Sequence, residues 1–565
     1  MKDTLKNIWE QLYPTSDIGL LETFLNELGS KKHALKAEHP DWYKDAVVYA
    51  LYVDLFAENF AELTKKLDYL QQLGVNCLWL LPILDSPMRD AGFDIRNYDR
   101  IRNDLLGLPE NFTKSEQEEI FENFLNEAHS RGLRVIFDIA LNHVSDTHPW
   151  FQQAITEPEN PYRDYFIWSD DTSRYSGARV IFKGIETSNW EPFGNTNYFH
   201  RFFSFQPDLN YRNPHLLLDM LRNFIYWQQI GVDGFRVDAI PYLWKEEGTD
   251  CENLPQTHLI MKFFRLVLDS LKQDTLLLAE ACQHPKKVVE YFGNGDECQG
   301  AYHFPLMPMI FKAIAKHDTE PIVTILNRNT TPEIPANCQW FTFLRCHDEL
   351  SLELVYVSES DRKYIHDTYC RKPEWDFRQG EGISARLANL MEYDERRIGL
   401  AYSIMATLQG TPVIYYGDEF GKENDEAFYK EMTAYTGKDD TRFLVRGKID
   451  WKLLEKQLKD ETSFQSNVLK RLKTILKVRK KHPAFGRGTL EFKPLKNTDN
   501  TTNPHVLAYT RTFGNDQLLI VQNLSNRPQN VLVDFGKNLK ELLSHHVFDS
   551  EMIAIAPYAY YWFSI

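Results

Sequence analysis

Short apolar runs alternate along this chain with longer stretches of helical periodicity, and this alternation constrains the fold more than any other feature. Eight such runs stand at 47–53, 77–83, 134–140, 233–240, 276–281, 300–304, 340–348 and 412–419. Strands separated by helices form parallel sheets, because each helix carries the chain back to the start of the next strand. Eight β–α units therefore predict an α/β fold, a (β/α)8 TIM barrel.

Two segments break the alternation and predict further domains. The gap after the third run is too long for one crossover and is rich in Trp, Tyr, Asn and Pro, which indicates an inserted subdomain over the barrel mouth. Near the C-terminus the apolar residues recur with period two, which predicts an antiparallel β-sandwich. The predicted domains are an N-terminal helical extension at 1–40, the barrel at 41–143 and 216–485, the inserted subdomain at 144–215, and the C-terminal β domain at 486–565.

The predicted N-terminal extension begins with an amphipathic helix. Its apolar residues follow the i, i+3, i+4, i+7 spacing that places side chains on one helix face. They are Leu5, Ile8, Trp9 and Leu12. Residues 17–36 also have a helical pattern, and 39–45 is interpreted as a linker. These helices could cap the barrel or form the contact of a homodimer.

Composition narrows the possible partners and location. The formal net charge of -16 argues against nucleic acid and membrane surfaces as partners, since both are anionic. The chain has seven cysteines, an odd number, and they are widely spaced and include no CxxC pair. These features argue against a zinc site and against a disulfide framework. No targeting segment or long apolar span is recognisable at the N-terminus or elsewhere. A cytoplasmic protein is expected.

The fourth apolar run contains two charged residues, which is unexpected in a buried strand. Arg236 and Asp238 stand two residues apart in "GFRVDAI", so a strand would place both on one face. Buried charges are costly unless they are paired or used. A guanidinium beside a carboxylate favours the ionised carboxylate, which is the state that a nucleophile needs.

Polar side chains also follow other predicted strands, and barrel enzymes place catalytic groups at these strand ends. Asp238, Glu280 and Asp348 follow three different runs, and His143 and His347 accompany them. Each carboxylate could instead form a local ion pair or cap the next helix. Three carboxylates converging on one barrel mouth favour catalysis, and a pair about 5 Å apart suits retaining glycoside chemistry. Glu280 follows "LLLA", and an apolar flank raises the pKa of a carboxyl so that it can act as the acid.

Four ordered motifs carry a family resemblance. "FDIALNH", "GFRVDAI", "AEA" and "FLRCHD" resemble the signature regions of the α-amylase superfamily, glycoside hydrolase family 13, and "QPDLN" resembles its additional region. The resemblance implies that Asp238 is the nucleophile, Glu280 the general acid/base and Asp348 the transition-state stabiliser. It further implies that His143 and His347 hydrogen-bond the same glucose unit and that Arg236 orients Asp238. In this interpretation the substrate is a small sugar, a disaccharide.

One segment is similar to the part that closes the glucose pocket in exo-acting members of the family. In "SPMRDAGFDIRNY" (86–98), Asp94 is expected to bind sugar hydroxyls, and Tyr98 or Phe93 to stack on the ring. In "DDTRFLVRGKIDW" (439–451), Arg446 has a context similar to the pocket arginine of amylosucrase and oligo-1,6-glucosidase. An Asp94–Arg446 bridge is therefore predicted to close the pocket floor.

Within the family, long spans of the chain are most similar to the trehalose synthase branch, which isomerises maltose and trehalose without net hydrolysis. That activity implies a lid that excludes water, and the insert and the segment 350–385 are the candidates. Cys282 and Cys346 stand where that branch usually carries Asn, His284 where it carries Trp, and "RFLVRGKIDW" where it carries "DGVRTPMQW". An α-glucosidase or glucosyltransferase acting on trehalose or sucrose is the enzyme alternative. A non-catalytic scaffold subunit is the alternative of another class.

The resemblance implies no required cofactor and raises the question of a structural calcium. The family's calcium site would correspond to Asn142, Asp208 and the carbonyls of Tyr242 and Leu243. Lys245 stands in place of a ligating Glu, and an ammonium cannot bind a cation. We therefore expect the site to be metal-free, with the Lys245 ammonium in the cation's place.

Overall fold

The barrel is formed by eight short parallel strands in a closed sheet. The structure is a computed structural model that describes residues 1–31, 40–536 and 538–565. The strands are β1 Val48–Leu51, β2 Cys77–Leu80, β3 Arg134–Ala140, β4 Gly234–Asp238, β5 Leu276–Ala279, β6 Gly300–Tyr302, β7 Gln339–Phe343 and β8 Thr411–Tyr415. Each strand pairs with its sequence neighbours, and β1 closes the ring by pairing with β8. The predicted (β/α)8 fold is confirmed.

Seven of the eight strands are shorter than the apolar runs that predicted them, and two of these, β4 and β7, end at or near predicted site residues. β4 ends at Asp238 because Ala239 adopts a left-handed backbone conformation, with φ of 57°, that a strand cannot continue. β7 ends at Phe343, so Asp348 lies in the loop that follows rather than on the strand itself. In both cases the chain leaves the sheet at the mouth, where functional groups lie in a barrel of this kind.

The strands are surrounded by helices whose ends are set by local sequence. The main outer helices are Phe60–Leu73, Lys114–Ser130, Pro214–Ile230, Pro255–Leu271, Leu306–Lys316, Glu395–Thr407 and Phe464–Arg479. Thr113 and Glu116 form a reciprocal capping box at the start of Lys114–Ser130. Gly74, at φ of 105°, ends Phe60–Leu73 in a left-handed conformation that favours glycine.

The N-terminal extension packs against the outside of the barrel. The helix Lys2–Leu12 buries the four predicted apolar residues, and the Trp9 ring lies 6.2 Å from the Phe263 ring on a barrel helix. A second helix, Ile18–Gly29, follows. The remainder of the helix predicted to reach residue 36 lies partly outside the described residues, and Trp42–Lys44 forms a single 3-10 turn in the predicted linker.

The insert after β3 is a small, mixed subdomain. It contains the helix Pro149–Ala154 and a three-stranded antiparallel sheet in which Thr196–Phe199 lies between Trp168–Ser169 and Trp190–Phe193. A backbone bridge between His143 and Asp208 joins its end to the loop after β3. The predicted insertion between the third and fourth strands is confirmed.

The C-terminal domain is the predicted antiparallel sandwich. A six-stranded sheet contains Thr489–Phe492, Val506–Phe513, Asp516–Asn523, Tyr560–Ser564, Leu539–Glu541 and Val547–Phe548, and a two-stranded sheet pairs Gln529–Leu532 with Met552–Ile555. Side chains of both sheets share one apolar core. Trp562 Nε1 donates to Ser403 Oγ at 2.9 Å, which attaches the domain to a barrel helix. Among the described residues, no helix is both long and apolar enough to cross a membrane.

The close approach of β4 and β5 predicts a stability effect at Gly234. A Cβ there would lie 2.5 Å from the Leu276 carbonyl oxygen, which the sheet holds in place. We expect Gly234→Ala to lower stability by about 1–3 kcal/mol through overpacking, measured as a drop in the thermal unfolding midpoint. Gly29→Ala is the control, because no atom lies within 4 Å of its added Cβ. Equal midpoints for the two variants would contradict this account of the barrel packing.

Candidate active site

The charged pair on β4 belongs to a buried triad. Arg236 Nη1 lies 2.9 Å from Asp138 Oδ1 on β3 and also contacts Asp238 Oδ1. Trp79 Nε1 on β2 donates to the other oxygen of Asp138 at 2.7 Å. Burial and the charge of Asp238 raise the pKa of Asp138 to about 7, although Arg236 opposes the shift. One guanidinium therefore serves two carboxylates, and Asp238 faces the barrel mouth with a cation beside it.

Glu280 lies directly beside Asp238. It follows β5, and its Oε2 accepts a hydrogen bond of 3.0 Å from the backbone N–H of Ala239. The left-handed conformation of Ala239 turns this N–H toward the neighbouring strand. Burial raises the pKa of Glu280 to about 7, with Asp238 adding to the shift and Arg236 opposing it. This agrees with the expected raised pKa of Glu280, which keeps part of this carboxyl group protonated near neutral pH, as a general acid requires.

Asp348 is surrounded by cationic and hydrogen-bonding groups. Its Oδ1 lies 3.2 Å from Arg446 and 3.3 Å from Arg442, and its Oδ2 lies 3.1 Å from His347 Nε2. Burial alone would raise its pKa, but His347, Arg442 and Arg446 outweigh burial and hold the pKa below its usual range. Asp348 is therefore ionised and can accept hydrogen bonds from sugar hydroxyls.

The predicted Asp94–Arg446 bridge is wrong. Asp94 is completely buried and accepts hydrogen bonds from Ser86 Oγ and from the backbone N–H groups of Arg89 and Asp90, so it stabilises a turn. Burial and the neighbouring Asp90 raise its pKa to about 6. Arg446 lies behind the pocket wall, where its Nε donates to the His347 carbonyl.

The ion pair at the pocket is formed by Asp90 and Arg442, not by the predicted Asp94 and Arg446. Arg442 Nη2 lies 3.3 Å from Asp90 Oδ1, and both residues line the pocket. Asp440 holds the arginine from the other side at 2.6 Å. Aligning "DDTR" with the first four residues of "DGVRTPMQW" would have identified Arg442 as the pocket arginine.

Of the two aromatic residues predicted to stack on a sugar ring, Phe93 lies at the pocket and Tyr98 does not. Phe93 lines the pocket and stacks on the His347 ring, with centroids 5.3 Å apart. Tyr98 is buried behind the wall and donates its hydroxyl to the Ala140 carbonyl at 2.7 Å. Of the two candidates for stacking on a sugar ring, only Phe93 is therefore in position.

Two histidines present polar atoms to the pocket. Within the described part of the chain, neither ring nitrogen of His143 has a hydrogen-bond partner, and the same holds for Nδ1 of His347. Burial lowers the pKa of both residues, that of His347 to about 3. The neutral His143 ring can donate one hydrogen bond and accept another, as sugar hydroxyls require, whereas His347 has only Nδ1 left because its Nε2 contacts Asp348.

The pocket is roofed by segments far from it in sequence. Ile181, Phe182 and Phe202 of the inserted subdomain line the pocket, of about 120 Å³, together with Arg378 from the segment after β7. The Arg378 guanidinium lies 4.1 Å from the Phe182 ring centroid, so the two segments meet. The two predicted lids therefore contribute to one roof, although the sequence identified none of these four residues.

One side of the pocket, called the acceptor side because the departing sugar is expected there, contains thiols and a chain of ion pairs. Cys282 Sγ lies 3.6 Å from the Tyr356 hydroxyl, and both Cys282 and Cys346 line the pocket. Arg179 of the insert bridges Glu252 at 2.9 Å and Glu353 at 3.2 Å. His284 is not among the residues that line this pocket; its Nδ1 caps the short helix Pro285–Val288.

The candidate calcium site does not fit a metal ion. The Lys245 ammonium lies 2.7 Å from both Asp208 Oδ2 and Asn142 Oδ1, in the place a cation would need. Asp208 Oδ1 accepts the Arg201 backbone N–H at 2.8 Å. The carbonyls of Tyr242 and Leu243 cannot complete a calcium shell around an ammonium, since calcium needs six to eight oxygen ligands.

Comparisons with known proteins give one consistent family. Residues 58–488 match the family described as "Alpha amylase, catalytic domain", and residues 500–562 match "Maltogenic Amylase, C-terminal domain". The trehalose synthase/amylase TreS of Mycobacterium tuberculosis strain H37Rv is 39% identical, over 94% of this chain and 91% of its own. The trehalose synthase of Pimelobacter sp. strain R48 is 38% identical, over 94% and 96%.

Solved structures share the fold at lower identity. The α-amylase from H. orenii has a TM-score of 0.69 and 22% identity, and the comparison covers 92% of this chain and 99% of that one. The trehalulose synthase MutB from Pseudomonas mesoacidophila MX-45 also has a TM-score of 0.69, with 20% identity over 93% and 99%. These two likenesses concern the fold alone.

The Lys245 ammonium predicts stability without calcium. We expect Ca²⁺ added to the metal-free protein to leave the thermal unfolding midpoint unchanged, and Lys245→Met to cost about 3–5 kcal/mol because it strands the buried Asp208 charge. The double variant Lys245→Met with Asp208→Asn is the control and should recover part of the loss. A wild-type midpoint that falls in EDTA and returns with Ca²⁺ would refute the assignment.

Proposed function

Since the chain belongs to the α-amylase family of glycoside hydrolases, we propose that its pocket carries out a retaining glucosyl transfer that interconverts maltose and trehalose. The chain is an isomerising glucosyltransferase of the trehalose synthase branch, as its identity of about two residues in five to those relatives across nearly its whole length supports. The roles given below to individual side chains are part of the proposal.

The observation that carries the proposal is the contact between Glu280 and the residue after Asp238. Glu280 Oε2 and the Ala239 N–H hold the acid next to the nucleophile, with Arg236 beside Asp238 and a pKa of about 7 at Glu280. A retaining mechanism needs a carboxylate nucleophile beside a second carboxyl group that can donate a proton.

In the first step, Asp238 attacks the anomeric carbon of the glucosyl unit while Glu280 protonates the departing glycosidic oxygen. The bond to that oxygen breaks, and a glucosyl ester of Asp238 and a free glucose result. In the second step, the released glucose turns and its anomeric hydroxyl attacks the same carbon. Glu280 takes the hydroxyl proton, Asp238 leaves, and the α configuration is retained.

The donor subsite is formed by groups that bind hydroxyls from several sides. Asp348, His143 and His347 line the pocket, and so does the Asp90–Arg442 ion pair. In this proposal the ion pair closes one end of the pocket. A closed end admits one glucosyl unit from its non-reducing side, which favours disaccharides over internal sites of a polymer. Hydrogen bonds that strengthen as charge develops at the anomeric carbon contribute most to the rate.

The roof supports isomerisation rather than hydrolysis. Phe182 and Phe202 cover the pocket with apolar surface, and Arg179 ties the insert to Glu353 across the acceptor side. Such a cover keeps the released glucose close to the glucosyl ester and keeps bulk water away from it. The reaction needs no cofactor in this scheme.

A second activity, hydrolysis or transfer to another acceptor, is favoured by Cys282 and Cys346. Thiols are weak hydrogen-bond partners compared with amides, so they hold a released glucose less firmly. A weakly held glucose leaves time for water or another alcohol to react with the ester.

Three further expectations from the sequence stay predictions: a disaccharide substrate, a cytoplasmic location and a homodimer.

The proposal predicts the products from each sugar. Incubation with maltose should give trehalose as the main product, with glucose as a minor one, measured by NMR. Asp238→Asn should abolish turnover, and Glu280→Gln should lower it roughly 10²–10⁴-fold, with thermal midpoints near that of the wild type. The exposed Glu455→Gln is the matched control. Glucose as the only product would indicate a glucosidase, and an active Asp238→Asn variant would overturn the nucleophile.

The raised pKa of Glu280 predicts an alkaline limb in the pH profile. Glu280 must be protonated to act as the acid, so kcat/KM should fall as the pH rises through about 7. α-Glucosyl fluoride, whose leaving group needs little protonation, should show a weaker limb. Burial also raises the pKa of Glu349 to about 7, so Glu349→Gln is the control and should keep the limb. If the Glu349→Gln variant lost the alkaline limb, the limb would report the ionisation of Glu349 and the assignment to Glu280 would be wrong.

A further inference from the structure

A second group of reactive side chains lies outside the catalytic pocket. His366, Cys370 and Asp376 each offer a ligand atom, and these atoms all lie within 4.8 Å of one another. His366 Nε2 is 2.7 Å from Asp376 Oδ1. None of the three lines the catalytic pocket, and the glucosyl transfer does not use them.

The fold brings these residues together in two ways. His366 is in the last turn of the helix Glu359–Tyr369 and Cys370 follows that helix directly, so a spacing of four residues puts both on one face. The turn Pro373–Trp375 then reverses the chain, and Asp376 begins the short strand Asp376–Phe377 opposite them.

The chemistry of the donors selects a class of metal. An imidazole nitrogen, a thiolate sulfur and a carboxylate oxygen are the ligands of Zn²⁺, whereas calcium and magnesium prefer oxygen alone. The side chains of His366 and Asp376 are 26% and 34% exposed, so an ion can reach them from solvent without unfolding the chain. Three protein ligands leave a fourth position for water.

We propose that His366, Cys370 and Asp376 bind one zinc ion. The Cys370 thiol releases its proton to solvent and its sulfur bonds the metal. The hydrogen bond between His366 and Asp376 is replaced by two metal bonds, with the imidazole neutral and its proton on Nδ1. This site is separate from the Asn142–Asp208 position that Lys245 occupies.

The bound ion would stiffen one wall of the catalytic pocket. The strand Asp376–Phe377 pairs with Gly382–Ile383, which in turn pairs with Leu350–Ser351 just after the loop of Asp348. Arg378, in the same segment as Asp376, is part of the pocket roof. Zinc therefore ties the helix Glu359–Tyr369 to the small sheet whose strand Asp376–Phe377 leads directly into Arg378 of the roof.

One other group of three is a competitor within the described residues. Cys346, His347 and Asp348 also place their ligand atoms within 4.8 Å, inside the catalytic pocket. Arg442 and Arg446 already contact Asp348, and their positive charges repel a metal ion. The site at His366 contacts no arginine side chain in the hydrogen-bond or ion-pair network of the described chain.

The test is a titration of the metal-free protein with Zn²⁺ in competition with a chromogenic chelator, using the full chain. We expect one ion per chain in the wild type and in Cys346→Ser. Cys370→Ser and His366→Ala should each weaken binding by roughly 10-fold or more, since each removes a direct ligand. With Co²⁺, thiolate-to-cobalt absorbance in the near ultraviolet should appear in the wild type and disappear in Cys370→Ser.

Hydrogen exchange gives a second measurement that does not depend on turnover. Zn²⁺ should slow amide exchange across residues 376–383 in the wild type and in Cys346→Ser, and have no such effect in Cys370→Ser. Zinc binding that survives Cys370→Ser and is lost in Cys346→Ser would overturn the proposal and assign the metal to the catalytic pocket. An absence of binding in the wild type would overturn it as well.

Discussion

The guanidinium of Arg236 is the interaction on which the catalytic centre depends. It lies between Asp138 and Asp238 and so joins β3 to β4 in the barrel interior. Without this cation the two carboxylates would repel each other in a buried environment, and the pKa of Asp138, already about 7, would rise further. The barrel supplies the rigid strands that hold the three groups in register, with Asp138 opposite Arg236 and Ala140 opposite Asp238.

Around this triad, the loops after the strands place each further group by local backbone geometry. The left-handed Ala239 aims one N–H at Glu280, and the loop after β7 carries His347 and Asp348 to the same mouth. Strained conformations of this kind persist where the surrounding structure over-determines them, and they concentrate at functional sites. Burial and Asp238 raise the pKa of Glu280, whereas His347, Arg442 and Arg446 hold the pKa of Asp348 below its usual range, so the two groups differ in protonation.

A second electrostatic device holds the insert to the barrel. The Lys245 ammonium joins Asn142, after β3, to Asp208 in the insert, which is the task that a divalent cation performs in an oxygen-lined site. A lysine needs no ion from solution, so the roof over the pocket keeps its position independently of metal supply. If zinc binds at His366, Cys370 and Asp376, the position of Arg378 in the roof would depend on metal, whereas the position of the insert would not.

The sequence by itself determined the order of strands and helices, the inserted and C-terminal domains, and the proposed catalytic carboxylates. This was possible because a parallel barrel brings all strand ends to one mouth, so Asp238, Glu280 and Asp348 needed only their places in the series. Only the tertiary structure decided which side chains meet across loops. Asp90 rather than Asp94 reaches Arg442, because the turn at 86–94 buries Asp94 under its own backbone N–H groups. Loop paths likewise decided that Phe182 and Arg378 meet in the roof and that Cys370 lies close to Asp376. Loops have no repeating hydrophobic pattern, so a single sequence does not predict their paths.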